Sequence, residues 1–334
     1  MSARRRSDPI GGRGGRALRA AAAAAGAGAL GYLGAGLVIS WRLNRFPTYL
    51  RRRFTFSPWE LRIPAQSVRL ATQDGVRLDA WFFPQPDPDA PVVVGLHGYR
   101  GNRSELLGIG SALWRRGFAM LLPDFRGRGT SERRRISMGA WEVNDLVAAL
   151  VWLRESRPAA PVGLLGYSMG GAVALMQGGR HPEVRAIVVD CAFAAQAGVL
   201  SYGVQRLIRL RGDFLLPAAA LFHRGARRPG FAQVSPIDHA AEWRGKALFF
   251  IGADGDATVP PGDARRLFEA APEPKLLWVA RDAGHCGAYF EDRDRYTRLV
   301  GQFFERYLAE REPSRQPDGA AVPFGAAAVG TRER

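Results

Sequence analysis

At 334 residues, 47% hydrophobic and 23% charged, the chain is long enough for one large α/β domain or two modest ones, and its composition excludes intrinsic disorder. Two cysteines, Cys191 and Cys286, cannot build a disulfide scaffold or argue for an oxidising compartment. The formal net charge of +16 invites a nucleic-acid reading, but residues 1–53 carry eleven arginines against one acid, Asp8, and these flank an apolar segment instead of crowding a folded surface. No nucleic-acid partner is expected.

The basic segment 1–19 leads into Ala20–Trp41, 22 residues without a charge. A helix rising about 1.5 Å per residue spans about 33 Å over that length, enough for a hydrocarbon core of about 30 Å. Alanine and glycine dominate, with Leu30, Leu33, Leu37, Val38 and Ile39 toward the end. The expectation is a transmembrane-like signal anchor passing once through a membrane. The alternatives are a secretory signal, with Ala27-Gly28-Ala29 as small residues for a peptidase, and a soluble tail. Arginines on both flanks leave the orientation open. Residues 42–66, broken by Pro47, Pro58 and Pro64, read as a connector that isolates this segment from the rest of the chain.

From Ser67 the pattern alternates, Ser67–Thr72 and Val76–Phe83 about Asp74-Gly75, as in a hairpin with a tight turn. Short apolar runs then come at Pro91–His97, Phe118–Pro123, Val162–Gly166, Val184–Asp190, Ala247–Ile251 and Lys275–Ala280. Helical patterns near Ser104–Arg116, Ala140–Glu155, from Met169, and from about Asp294 to Glu310 separate or follow them. Strands alternating with helices of this length imply βαβ units and a parallel sheet. Residues 196–235 break the rhythm: Leu200, Val204, Leu207, Ile208 and Leu210 recur at helical spacing, and Phe214–Phe222 is more uniformly apolar. This insertion reads as a helical cap, or as a packing pair with no role at a site. Residues 312–334 read as a flexible tail.

The sharpest motif is Gly166-Tyr167-Ser168-Met169-Gly170, a G-x-S-x-G. Among 40 glycines the pattern alone is weak. Its setting, after a strand and opening a helix, is that of a nucleophile elbow, in which the serine takes strained backbone and the flanking glycines avoid collision. A serine hydroxyl attacks only when a base removes its proton, so an imidazole and an orienting carboxylate are required. Of five histidines, His285 in Asp282-Ala-Gly-His-Cys-Gly lies just beyond the last strand, where a loop can aim it at Ser168. The carboxylate should follow the preceding strand, where Asp254 and Asp256 both stand.

With these residues in order Ser…Asp…His, the chain from about Ser67 to Glu310 resembles the serine esterase/lipase branch of the α/β-hydrolase superfamily. The resemblance implies an α/β-hydrolase fold: a mostly parallel, doubly wound sheet with a helical cap insertion over residues 67–311, preceded here by the transmembrane-like helix. The family's acid commonly stands in Asp-x-x-Val-Pro, which matches Asp256-Ala-Thr-Val-Pro. The spacing from the upstream glycine is one residue longer than usual and keeps Asp254 open. By the same resemblance the Leu96–Asn102 loop supplies an oxyanion hole through the backbone N–H groups of Tyr99 and Met169. His97 and the Asp124–Ser131 loop are then scaffolding.

The expected chemistry needs no cofactor and no metal: Ser168 attacks an acyl carbon, and water activated by His285 releases the acyl-enzyme. A small-molecule carboxylic ester or thioester with an apolar acyl group is the leading substrate class. An acyltransferase differs only in its acceptor. A prolyl-aminopeptidase-like peptidase would need acids in the cap for a substrate amine, and Asp213 is the only one between Gln196 and Val234. A membrane-tethered binding protein with a degenerate site is the reading outside enzymes.

Overall fold

The computed structural model describes residues 11–44, 56–209, 212–225 and 229–308. The predicted tail 312–334, residues 45–55 of the connector, the first ten residues of the basic segment and Leu210 lie outside them.

Eight strands form one sheet: β1 (Gln66–Ala71), β2 (Arg77–Phe83), β3 (Val92–Leu96), β4 (Ala119–Pro123), β5 (Val162–Tyr167), β6 (Val184–Asp190), β7 (Ala247–Ala253) and β8 (Lys275–Ala280). The order is β1-β2-β4-β3-β5-β6-β7-β8. The first hairpin pairs Leu70 with Leu78 in antiparallel register, β2 meets β4 antiparallel, and every later pair is parallel. The central strands β3, β4, β5 and β7 are buried along their whole length, as the apolar runs require for a sheet covered on both faces.

Nine α-helices accompany the sheet among the described residues: α1 (Gly11–Asn44), α2 (Leu107–Trp114), α3 (Val143–Ser156), α4 (Met169–Gly178), α5 (Gln196–Ile208), α6 (Leu216–Gly225), α7 (Asp263–Ala270), α8 (Ala288–Glu291) and α9 (Arg293–Leu308). One core cluster joins Leu146, Leu150 and Leu153 of α3 to Val173 and Leu175 of α4 on one sheet face. The other joins Leu107 and Leu113 of α2 to Tyr296, Phe303 and Phe304 of α9 on the opposite face. The sheet is therefore doubly wound. The sequence reading omits α7, an eight-residue helix whose two adjacent arginines hide its apolar face of Ala264 and Leu267.

Two expectations need correction. The apolar helix is longer than residues 20–41, because α1 runs from Gly11 to Asn44. A helical turn, Pro58–Leu61, also interrupts the connector, and β1 begins at Gln66. The second correction concerns isolation. The α1 helix packs on the insertion: the Tyr32 hydroxyl donates to the Phe214 carbonyl at 2.8 Å, and their rings lie 5.7 Å apart. Gly36 makes this approach possible, since a Cβ there would fall 2.5 Å from the Ala218 Cβ. Ile39 packs into the insertion's small core of Leu200, Ala219 and Phe231. A run of Ala and Gly looks weakly apolar in sequence, yet it allows two helix backbones to meet closely. The Arg16–Trp41 portion has mean hydropathy 1.6 over its best window and is long and apolar enough to cross a membrane.

A buried ion network holds the first hairpin to the sheet. Arg126, after β4, reaches the turn residue Asp74 at 2.6 Å and Asp145 of α3 at 2.7 Å.

Candidate active site

The carboxyl ends of the parallel strands carry the site, as expected for ligand positions in α/β sheets. Ser168 follows β5 and caps α4 with φ 51 and ψ −113. That backbone is rare for a residue with a Cβ and costs roughly 1–3 kcal/mol. Its surroundings enforce it. The Ser168 N–H donates to the Asp190 carbonyl at 2.8 Å. A Cβ on Gly166 would lie 2.5 Å from the Gly170 backbone, and one on Gly170 would lie 2.1 Å from the Leu96 carbonyl oxygen. The two glycines let the turn close against β3.

His285 lies in the loop after β8. Its Nε2 is 2.9 Å from Ser168 Oγ and its Nδ1 is 2.7 Å from Asp256 Oδ2. The other Asp256 oxygen accepts from the N–H groups of Thr258 and Val259 at 2.7 and 2.9 Å. Asp254 is exposed. Its N–H donates to the Ala280 carbonyl as the last bond between β7 and β8, and the Gly255 N–H donates to the Ala283 carbonyl in the loop after β8. The Asp256 side chain is the carboxylate that meets the imidazole.

The electrostatics follow the contacts. Burial raises the Asp256 carboxyl, but His285 and the two N–H donors outweigh it and hold the group below its usual value. For His285 burial works downward, and the hydrogen bond and charge of Asp256, with Cys191 beside it, carry the imidazole above its usual value. His97 behaves differently. It is fully buried and pushed down to about 3, chiefly by burial. Its Nδ1 donates to the Gly98 carbonyl and its Nε2 accepts from the Phe125 N–H, so the neutral ring ties two loops together.

The loop after β3 reaches Ser168: a Cβ on Gly98 would lie 3.8 Å from the Ser168 Cβ. Tyr99 comes next, its ring 5.1 Å from the Arg128 guanidinium, and Met169 opens α4. Asp124 accepts from the N–H groups of Arg103 and Thr130, bracing the loops after β3 and β4. The insertion reaches the site through Tyr202 of α5, whose hydroxyl donates to the Asp256 carbonyl at 3.0 Å.

Three features were not anticipated from sequence. Glu105 accepts from the Gly98 N–H at 3.2 Å, placing a carboxylate beside the loop after β3. Asp190, fully buried at the end of β6, is raised to about 6 by burial. The third is a group of potential metal ligands: Cys191, His285 and Cys286 bring their ligand atoms within 4.8 Å of one another. The two cysteines are 95 positions apart in the chain, and no local pattern in the sequence links them.

The fold is of the α/β-hydrolase type, and the comparisons with known proteins support a hydrolase. The profile described as serine aminopeptidase, S33, matches residues 87–226. The uncharacterised protein YfhR of Escherichia coli K12 is 30% identical over 71% of this chain and 77% of its own length. The uncharacterised YqkD of Bacillus subtilis is 30% identical over 57% of this chain, which spans 63% of YqkD. Among solved structures, the Pyrococcus furiosus esterase Pf2001 superposes with a TM-score of 0.64 at 23% identity, over 77% of this chain and 98% of Pf2001, a likeness of fold. The chain belongs to the α/β-hydrolase superfamily.

Proposed function

We propose that this chain is a membrane-anchored serine hydrolase that cleaves carboxylic esters or thioesters of apolar acyl groups through an acyl-enzyme on Ser168. The observation that carries the reading is the unbroken line Ser168–His285–Asp256, with contacts of 2.9 and 2.7 Å, behind a serine in strained elbow backbone. In the proposed mechanism His285 Nε2 takes the Ser168 proton as Oγ attacks the acyl carbon. Asp256 accepts from Nδ1–H, fixing the tautomer and stabilising the imidazolium. The N–H groups of Tyr99 and Met169 face the developing oxyanion, a donor in such a hole contributing roughly 3 kcal/mol. His285 then protonates the leaving alkoxide or thiolate, and water takes the same path to free the acid. On this reading residues 67–311 are the hydrolase domain, 196–235 its cap and 20–41 its membrane anchor.

The apolar acyl preference is supported by the insertion, whose α5 touches the Asp256 loop and whose core of Leu200, Ala219 and Phe231 is apolar. The test is an ester panel of graded chain length with fluorophosphonate labelling. The wild type should label and its kcat/KM should rise several-fold per added carbon, since each buried methylene contributes about 0.8 kcal/mol. Ser168→Ala should abolish both; residual hydrolysis above about a thousandth of wild type refutes the nucleophile. An unlabelled but folded wild type would favour a tethered binding protein.

A second reading, an aminopeptidase, is favoured by the description of the matching profile and by Glu105 beside the site. An amine-holding carboxylate is otherwise scarce. Asp213, the one acid of the insertion, already accepts from the Ser201 hydroxyl. Faster turnover of amino-acid arylamides than of esters, lost in Glu105→Gln, would establish that reading.

A further inference from the structure

Among the described residues, one cluster of metal-ligating groups lies against the candidate site without serving the hydrolytic steps. Cys191 follows β6 and Cys286 follows His285, with φ 51 and 53, backbone that residues with a Cβ rarely adopt. The Cys286 N–H donates to Cys191 Sγ at 3.2 Å, drawing the two turns together. Neither sulfur is in a disulfide. Cys191 is buried, while Cys286 and His285 are half-buried, so the group faces outward through the imidazole. Asp190 Oδ1, in the fully buried residue immediately before Cys191, has no hydrogen-bond partner.

We propose that Cys191, Cys286 and His285 form a binding site for a thiophilic d10 cation such as Zn2+, and that occupancy withdraws His285 from Ser168 or Asp256. Two sulfurs and one imidazole suit Zn2+, Cd2+ or Cu+, whereas Mg2+ and Ca2+ demand oxygen ligands. With metal–sulfur bonds of about 2.3 Å and metal–nitrogen bonds of about 2.0–2.1 Å, tetrahedral ligand atoms sit about 3.5–3.8 Å apart. The present ligand atoms lie within 4.8 Å of one another, so binding requires them to draw in by about 1 Å. On binding Zn2+ or Cd2+, each thiol gives one proton to solvent, leaving an uncharged dithiolate–metal unit with the imidazole as third ligand and water in the fourth position. No electron moves. The two ring nitrogens of His285 are both engaged, by Asp256 and Ser168, so the ion and one of those contacts exclude each other.

The inhibition rests on the proposed role of His285; the binding does not. The detergent-solubilised full chain carrying Ser168→Ala is titrated with Cd2+, reading thiolate-to-cadmium charge-transfer absorbance and the thermal midpoint. A saturable one-to-one band and a raised midpoint are expected. Adding Cys191→Ser or Cys286→Ser should weaken binding roughly tenfold or more. In the Ser168 protein, Zn2+ should inhibit hydrolysis, a chelator should restore it, and Cys286→Ser should raise the inhibitory concentration by a comparable factor. Absence of the band, a band surviving both substitutions, or inhibition indifferent to them overturns the site. An inactive wild type that still shows the band refutes only the hydrolytic reading.

Discussion

Asp256→Asn compared with Asp254→Asn tests the site at its least legible point. An amide at position 256 keeps the volume and can keep the bonds from Thr258 and Val259. It loses the charge at the 2.7 Å contact with His285 Nδ1 and presents either an N–H or a weaker acceptor there. The imidazole then favours the wrong tautomer, and its cation loses its counter-charge. Comparable losses run to about 10⁴ in kcat, or about 5.4 kcal/mol at 1.36 kcal/mol per tenfold. Asp254 is exposed and its backbone pairs with Ala280, so Asp254→Asn should alter kcat/KM by less than about threefold, as surface substitutions do. The assay is hydrolysis of an activated short ester, with circular dichroism as the check on folding. The pH profile adds a second reading. Because Asp256 helps hold His285 above its usual value, the wild-type acidic limb should lie above the ordinary imidazole range and activity should fall as pH drops through it. Removing the carboxylate lowers that pKa, so the residual activity of Asp256→Asn should persist to lower pH. Equal small losses in the two variants, or the reverse ranking, would refute the assignment of Asp256.

Three further outcomes are expected from the packing. Gly170→Ala sets a Cβ 2.1 Å from the Leu96 carbonyl oxygen, against backbone that leads into the Gly98–Tyr99 loop. A displacement near 1 Å should reduce kcat by roughly a hundredfold while the protein still folds, and an unchanged rate would mean that this loop does not set the oxyanion geometry. Arg126→Met leaves Asp145 buried beside an apolar chain and frees Asp74; urea unfolding should show a loss of roughly 3–5 kcal/mol, and a loss under about 1 kcal/mol would contradict the network's role. A chain beginning at Phe56 should still hydrolyse short soluble esters, because α1 packs on α6 and the insertion's core and not on the Ser168 turn. Amide exchange in residues 212–225 should nonetheless accelerate, as Ala218 and Ala219 lose the Gly36 and Ile39 surface; unchanged exchange there would show that α1 does not hold α6.

The sequence by itself determined the parallel architecture and the elbow, because both are local. Uninterrupted runs such as Val92–Leu96 and Val162–Tyr167 suit only a sheet covered on both faces, and G-x-S-x-G after such a run has one backbone solution, the left-handed Ser168. His285 was legible because position after the last strand restricts where a side chain can point. Only the tertiary structure sets the Asp256 side chain against His285, since loop spacing does not record which of two carboxylates so close in the chain turns toward the imidazole. It alone joined α1 to α6, where the small side chains that depress hydropathy are what let Gly36 meet Ala218. It also brought Cys191 to Cys286, for strand order puts β6 beside β7 and β7 beside β8, and pairings between residues far apart in the chain leave no local period to read.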